Sequence, residues 1–155
     1  MPVIRKRIIT DIKELENIIS KTKVIFVGMS VKDQPYILPF NFGYEDRTFY
    51  IHGAPEGKKI DFLKANARIC ISLEIDSELF VRHETMACSY SMTYTSIVAF
   101  GKAEFIEDYD KKVQAMNLVM KQYTGKDFKY SKPSIDGIVV IKIVCDEITG
   151  HIRGV

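Results

Sequence analysis

The sequence predicts an α+β protein built on a mainly antiparallel sheet of about six strands, flanked by about three helices. Three observations carry that expectation. Apolar residues recur at helical spacing in three separate stretches, β-branched and aromatic runs of strand length fill the intervals, and most connections are short. A sheet of that size tends to close toward a barrel, which protects its edges.

The first helix is expected near residues 10–21, where Ile8, Ile9, Ile12, Leu15, Ile18 and Ile19 share a face and Thr10 or Asp11 can cap. Val24–Met29 then reads as a strand, with a polar turn at Lys32-Asp33-Gln34. Tyr36–Tyr44 and Thr48–Gly53 flank Glu45-Asp46-Arg47 as a hairpin. Pro39 falls within the first of these strands; a proline cannot donate to a ladder, so the strand belongs at an edge, at a bulge or beside a ligand. Pro55-Glu56-Gly57 leads into a short helix carrying Ile60, Leu63 and Ala67, and Arg68–Glu74 is the next strand. Thr95–Ile106 alternates, with Ile97, Ala99, Gly101, Ala103 and Phe105 on one side. Val113, Met116, Val119, Met120 and Tyr123 line a helix that Asp108 can cap and Gly125 can stop. Ile138–Cys145 is nearly continuous Ile and Val, as in a strand covered on both sides. Residues 78–91 and 126–136 are the least regular segments, each either a loop near a site or plain surface.

The chain has 155 residues, enough for one domain spanning 1–155. Its 46% hydrophobic and 27% charged composition excludes a disordered or fibrous class. The net charge of +2 argues against a broad nucleic-acid surface. No apolar run is long enough to span a membrane, and the basic start Met1–Arg7 lacks the apolar core of a signal peptide, so a cytoplasmic protein is expected. Cys70, Cys88 and Cys145 have neither disulfide nor metal-ligand spacing; Cys70 and Cys145 sit in apolar runs and read as small buried hydrophobes. No metal site is expected. His83 and His151 are assigned to the surface.

One segment stands out chemically: Tyr50-Ile51-His52-Gly53-Ala54-Pro55-Glu56-Gly57-Lys58-Lys59. A strand ends in small residues, turns, and starts a helix with two lysines. Small residues let N–H groups approach an anion, the helix start adds partial positive charge, and Lys58 and Lys59 can bond a phosphate. The alternative is a solvated helix start with surface lysines. His52 at the strand end can bond a phosphate, donate a proton or simply cap. Hydroxyls at Thr93, Tyr94, Thr95 and Ser96 precede the alternating strand and suit a polyol, a phosphate or a turn. Walker, GxGxxG, GxSxG and HExxH motifs are missing, which disfavours P-loop, serine-hydrolase and metalloprotease readings.

Taken in order, these segments resemble the FMN-binding split β-barrel superfamily that includes pyridoxamine 5′-phosphate oxidase, and within it the nitroimidazole-resistance (Nim-type) branch. The resemblance runs through Gln34–Tyr44, Phe49–Ala54, Gly57–Asp61, Leu63–Cys70, Tyr94–Ala103 and Ile148-Thr149-Gly150, the last looking like the Thr-Gly that follows the final barrel strand. It covers nearly the whole chain.

The resemblance implies a homodimer with FMN, or alternatively FAD, at the subunit interface. Lys58 and Lys59, after the small residues Gly53, Ala54 and Gly57, would hold its phosphate. Leu38, Pro39, Phe40 and Asn41 would contact the ring, largely through backbone. Ser96, between Tyr94 and Ile97, stands five residues before Gly101, where the oxidase branch has a flavin-contacting glutamine. His52 matches the Nim-type histidine and is the candidate catalytic residue. The implied activity is an oxidoreductase that takes electrons from NADH or NADPH and reduces small acceptors such as nitroaromatics or quinones. A non-catalytic redox-sensing flavin module, pyridoxamine-phosphate-oxidase-like activity and a haem-binding barrel are the alternatives. The arginine-rich tail of the oxidase branch is missing here, which weakens vitamin B6 oxidation, and no residue is placed as a convincing haem ligand.

Overall fold

The structure is a computed structural model and describes residues 3–155; Met1 and Pro2, part of the basic N-terminal stretch, lie outside the described residues. Its elements in order are β1 (Arg5–Ile9), α1 (Ile12–Ser20), β2 (Ile25–Val31), β3 (Gln34–Phe40), β4 (Gly43–Glu45) and β5 (Thr48–Gly53), followed by α2 (Lys58–Ala65) and β6 (Arg68–Val81). A 3₁₀ turn at Ala87–Ser89 leads to β7 (Tyr90–Ile106), α3 (Tyr109–Thr124), α4 (Lys132–Asp136) and β8 (Val139–Gly154).

All eight strands form one antiparallel sheet in the order β3-β2-β6-β7-β8-β5-β4, with β1 also paired to β8. The sheet curls without closing and is a split barrel with flanking helices. β3 is an edge strand, so Pro35 and Pro39 cost no ladder bonds on its free side. The two tight hairpins rest on consecutive positive-φ residues, Lys32-Asp33 and Asp46-Arg47, the backbone that a two-residue turn between twisted strands requires.

Burial explains the alternation. Ile25, Val27, Met29, Ile69, Ile71, Leu73, Ile97, Ala99, Ile141 and Ile143 point into one core with α1 and α2 packed on it. A second, smaller core lies outside β5 and β8, where Ala115 and Met116 of α3 and Ile135 of α4 cover Val140. The cover on β8 is partial, since Val144 remains 43% exposed.

Four expectations need correction. Ile8 and Ile9 lie in β1 rather than on the first helix, which runs Ile12–Ser20 with Asp11, one of its two expected caps, accepting from Glu14 N at 3.0 Å. Among the described residues there are eight strands and four α-helices rather than about six and about three. Residues 78–91 are largely regular, because β6 and β7 continue as a two-stranded ribbon beyond the core. Thr149-Gly150 lies within β8, opposite Val98 and Ile97, and does not follow it. The caps at Asp108 and Gly125 stand as expected, with Asp108 accepting from Lys111 N and Gly125 in the left-handed conformation. Cys145 is buried and burial pushes its thiol up to about 12; Cys70 is only half-buried, with its thiol also raised.

Candidate functional site

Helix α2 is preceded by Gly57 at its N-cap, whose φ of 121° is open to glycine and strained for other residues. No side chain caps the helix. Its first N–H groups are therefore free to meet an outside acceptor, and the helix dipole favours that acceptor being an anion.

The two lysines leave this point in different directions, because consecutive helical residues lie about 100° apart. Lys59 is half-buried and folds back over the end of β5. A Cβ built on Gly53 would meet Lys59 Nζ at 2.6 Å, so only glycine leaves the ammonium room there. The same ammonium lies 6.0 Å from the Phe40 ring centre. Lys58 is exposed and turns the other way, with its Nζ 4.6 Å from the centre of the Tyr36 ring and 5.5 Å from that of Phe62. Tyr36 and Phe62 pack together with ring centres 5.1 Å apart, which ties α2 to β3.

His52 is half-buried beside this group. Its imidazole is held below the ordinary value of 6.5, first by burial and then by the positive charge of Lys59. The site therefore offers a neutral imidazole, two ammonium groups and an uncapped helix start. The fold brings together His52, Gly53, Lys59 and Phe40, with Lys58 adjoining through Tyr36. Leu38 packs inward beside Phe40, Pro39 points outward, Ala54 is exposed, and Asn41 donates to the carbonyl of Lys23 at 3.4 Å.

Tyr94, Ser96 and Ile97 are not part of this group. Ile97 is fully buried in the core, so a ligand meets at most its main chain. Ser96 alternates with it and faces outward, opposite Glu74 and His151. The predicted contacts thus fall on two sides of one sheet: Phe40 and Leu38 inside, Pro39 and Ser96 outside. Sequence reasoning missed Tyr36 and Phe62, which position Lys58. Their signal was the aromatic residue four positions before Phe40 and four after Lys58.

A family model for pyridoxamine 5′-phosphate oxidase matches residues 11–152. The chain is similar in structure to a candidate 5-nitroimidazole antibiotic resistance protein from Bacteroides thetaiotaomicron, with 38% identity and a TM-score of 0.85, covering 99% of this chain and 90% of that one. It also resembles a flavocytochrome from Azotobacter vinelandii (19% identity, TM-score 0.81, 96% of this chain and 70% of that one). An FAD- and haem-binding protein from Mycobacterium smegmatis gives 16% identity and a TM-score of 0.83 over 96% of this chain and 74% of that one. The last two likenesses are of fold. Comparison with curated proteins gave no match. Since the family match takes in seven of the eight strands, and a 38%-identical relative aligns along almost the full length, the chain belongs to the pyridoxamine 5′-phosphate oxidase-like family.

Proposed function

We propose that the chain binds FMN, with its phosphate at the start of α2, and serves as an oxidoreductase for small acceptors such as nitroaromatics, with NADH or NADPH as donor. The observation that carries this reading is the fit of the site to a phosphate. Lys59 is folded onto Gly53, Lys58 adjoins on the other side over Tyr36, and the helix start is uncapped. A phosphate monoester carries about −1.5 to −2 charge at neutral pH, which two ammonium groups and free N–H donors offset. A bound flavin would supply the two-electron chemistry, so the chain needs no acid–base pair of its own. Its residues have to bind the phosphate, orient the ring and leave one side open. The name of the Bacteroides relative supports nitroaromatic acceptors.

The reading includes a homodimer. One protomer alone does not gather the predicted contacts on one side of its sheet, and contact with a second copy can complete the site. The outer side of β3, β2 and β7 is suited to such contact, with Ile37 61%, Phe26 45% and Phe100 47% exposed.

The test is to purify the protein, release its chromophore by denaturation and identify it. FMN at about one per chain is expected, and a colourless protein that takes up no added FMN overturns the reading. Lys58→Ala or Lys59→Ala should each weaken FMN binding on the order of ten- to a hundredfold, as loss of one charge-assisted bond implies. Riboflavin, which lacks the phosphate, should bind the double variant as it binds wild type.

A further inference from the structure

Two neighbouring side chains near the end of α3 hold segments that are far from it in sequence. Gln122 Nε2 donates to the carbonyls of Ile19 and Thr22, each at 3.0 Å, and so secures the end of α1. The Tyr123 hydroxyl donates to the Lys23 carbonyl at 2.7 Å and accepts from Phe42 N at 3.0 Å. One oxygen thereby joins the stretch before β2 to the stretch after β3.

Those two stretches have no ladder to hold them. Ile25 and Phe40 form the last pair between β2 and β3, and Asn41 and Phe42 lie between β3 and β4. Phe42 buries its ring completely, which draws its N–H inward just where strand pairing has stopped. The bond to Tyr123 satisfies that N–H in place of a further rung. Asn41 Nδ2 adds a longer bond, at 3.4 Å, to the same Lys23 carbonyl. Helix α3 supports the next residue too, because a Cβ on Gly43 would run into the main chain at Leu118 and Val119. The exit of β3 is therefore set by α3 as much as by the sheet.

That exit adjoins the start of α2. Phe40 packs inward with the Lys59 ammonium 6.0 Å from its ring centre. β3 is an edge strand, so ladder groups on its free side are open to a ligand. A loose exit would let those groups drift, and binding would then have to order them. We propose that Tyr123 is a positioning residue for the flavin: its hydroxyl fixes the Phe40–Phe42 main chain against which the ring rests. This inference rests on the FMN reading above and adds to it a side chain that acts on the ring rather than on the phosphate.

The experiment compares FMN and riboflavin binding, by flavin fluorescence and visible circular dichroism, in wild type, Tyr123→Phe and Gln122→Met. Tyr123→Phe keeps the aromatic ring beside Phe42 and removes only the hydroxyl. It should weaken FMN and riboflavin by the same factor, about tenfold, and alter the circular dichroism of the bound flavin. Loss of a phosphate contact would weaken FMN alone. Gln122→Met removes the neighbouring bonds to α1, so its melting temperature should fall while flavin affinity and circular dichroism match wild type. In wild type itself, hydrogen exchange at the Phe42 amide should slow when either flavin binds, by more than at the amides within α3. Wild-type affinity and circular dichroism in Tyr123→Phe overturn the proposal, and so does an equal flavin loss in Gln122→Met. Should Tyr123→Phe not fold, Phe42 exchange that is indifferent to flavin overturns it without the variant. A wild-type protein that binds neither flavin overturns the FMN reading itself, and this inference with it.

Discussion

Lys59 occupies the space that a side chain on Gly53 would need: the ammonium nitrogen lies 2.6 Å from where that Cβ would sit. Residue 53 and the lysine are thus matched, and a methyl group at one displaces the other.

Gly53→Ala should separate fold from site. The obstructing atoms are the end of a flexible lysine, so the melting temperature should stay near that of wild type while the ammonium is driven off. FMN affinity should fall about tenfold, worth about 1.4 kcal/mol, with riboflavin affinity unchanged. Titrating both flavins into both proteins checks it; undiminished FMN affinity would show that the phosphate does not need Lys59 in this position.

His52 should make the fold acid-sensitive. Its folded pKa lies below 6.5, by burial first and Lys59 second. Above 6.5 both states hold a neutral ring and the residue adds no pH dependence. As the pH falls below that value, the unfolded chain takes up a proton that the folded chain refuses, so stability drops until the folded pKa is reached. Denaturant midpoints between about pH 7.5 and 5.5 should fall less in His52→Gln than in wild type. In an NMR titration, Lys59→Ala should raise the imidazole pKa without fully restoring it, because burial remains. An unchanged or lowered value would remove Lys59 as a cause.

Gly43→Ala should be far costlier than its size suggests. The added Cβ would lie 2.5 Å from Val119 N and 2.6 Å from Leu118 C, both backbone atoms of α3 that cannot turn aside. A loss of about 3 kcal/mol is expected by denaturant unfolding. Gly154→Ala is the control, since its nearest neighbour is at 3.7 Å and its loss should be small. If the two variants unfolded alike, β4 and α3 would not be in contact as described.

Ile37→Asp together with Phe100→Asp should shift sedimentation toward a 17.8 kDa monomer while circular dichroism stays native. Both side chains lie on the outer surface of the sheet and fill no core. A double variant that sediments as a dimer at low protein concentration would move the interface elsewhere.

How far the sequence disclosed this molecule depends on whether the signal was local. The caps of α3 at Asp108 and Gly125 are local, and so are the Asp46-Arg47 turn and the proline that marks β3 as an edge. β1 has no such signal: Arg5-Lys6-Arg7 resembles no strand until β8 is there to pair with it. The outer β6–β7 ribbon was hidden because neither side of it packs on the core, so burial imposes no alternation. At the site, the small residues around Gly53 pointed to Lys59, but the departure of Lys58 toward Tyr36 depends on how α2 packs against β3.

One feature of the sheet bears on how the chain is made. β8 is the neighbour of β7, of β5 and of β1, and Arg5 pairs with Gly154, a separation of 154 − 5 = 149 residues. On a ribosome, β1 waits through the synthesis of all the intervening elements with its ladder groups unmet, and β5 is short of one neighbour for about two-thirds as long. Pairings so remote in sequence form slowly, and meanwhile leave strand edges open to other nascent chains. Synthesis stalled before β8 would therefore yield a product prone to aggregation rather than a smaller folded protein.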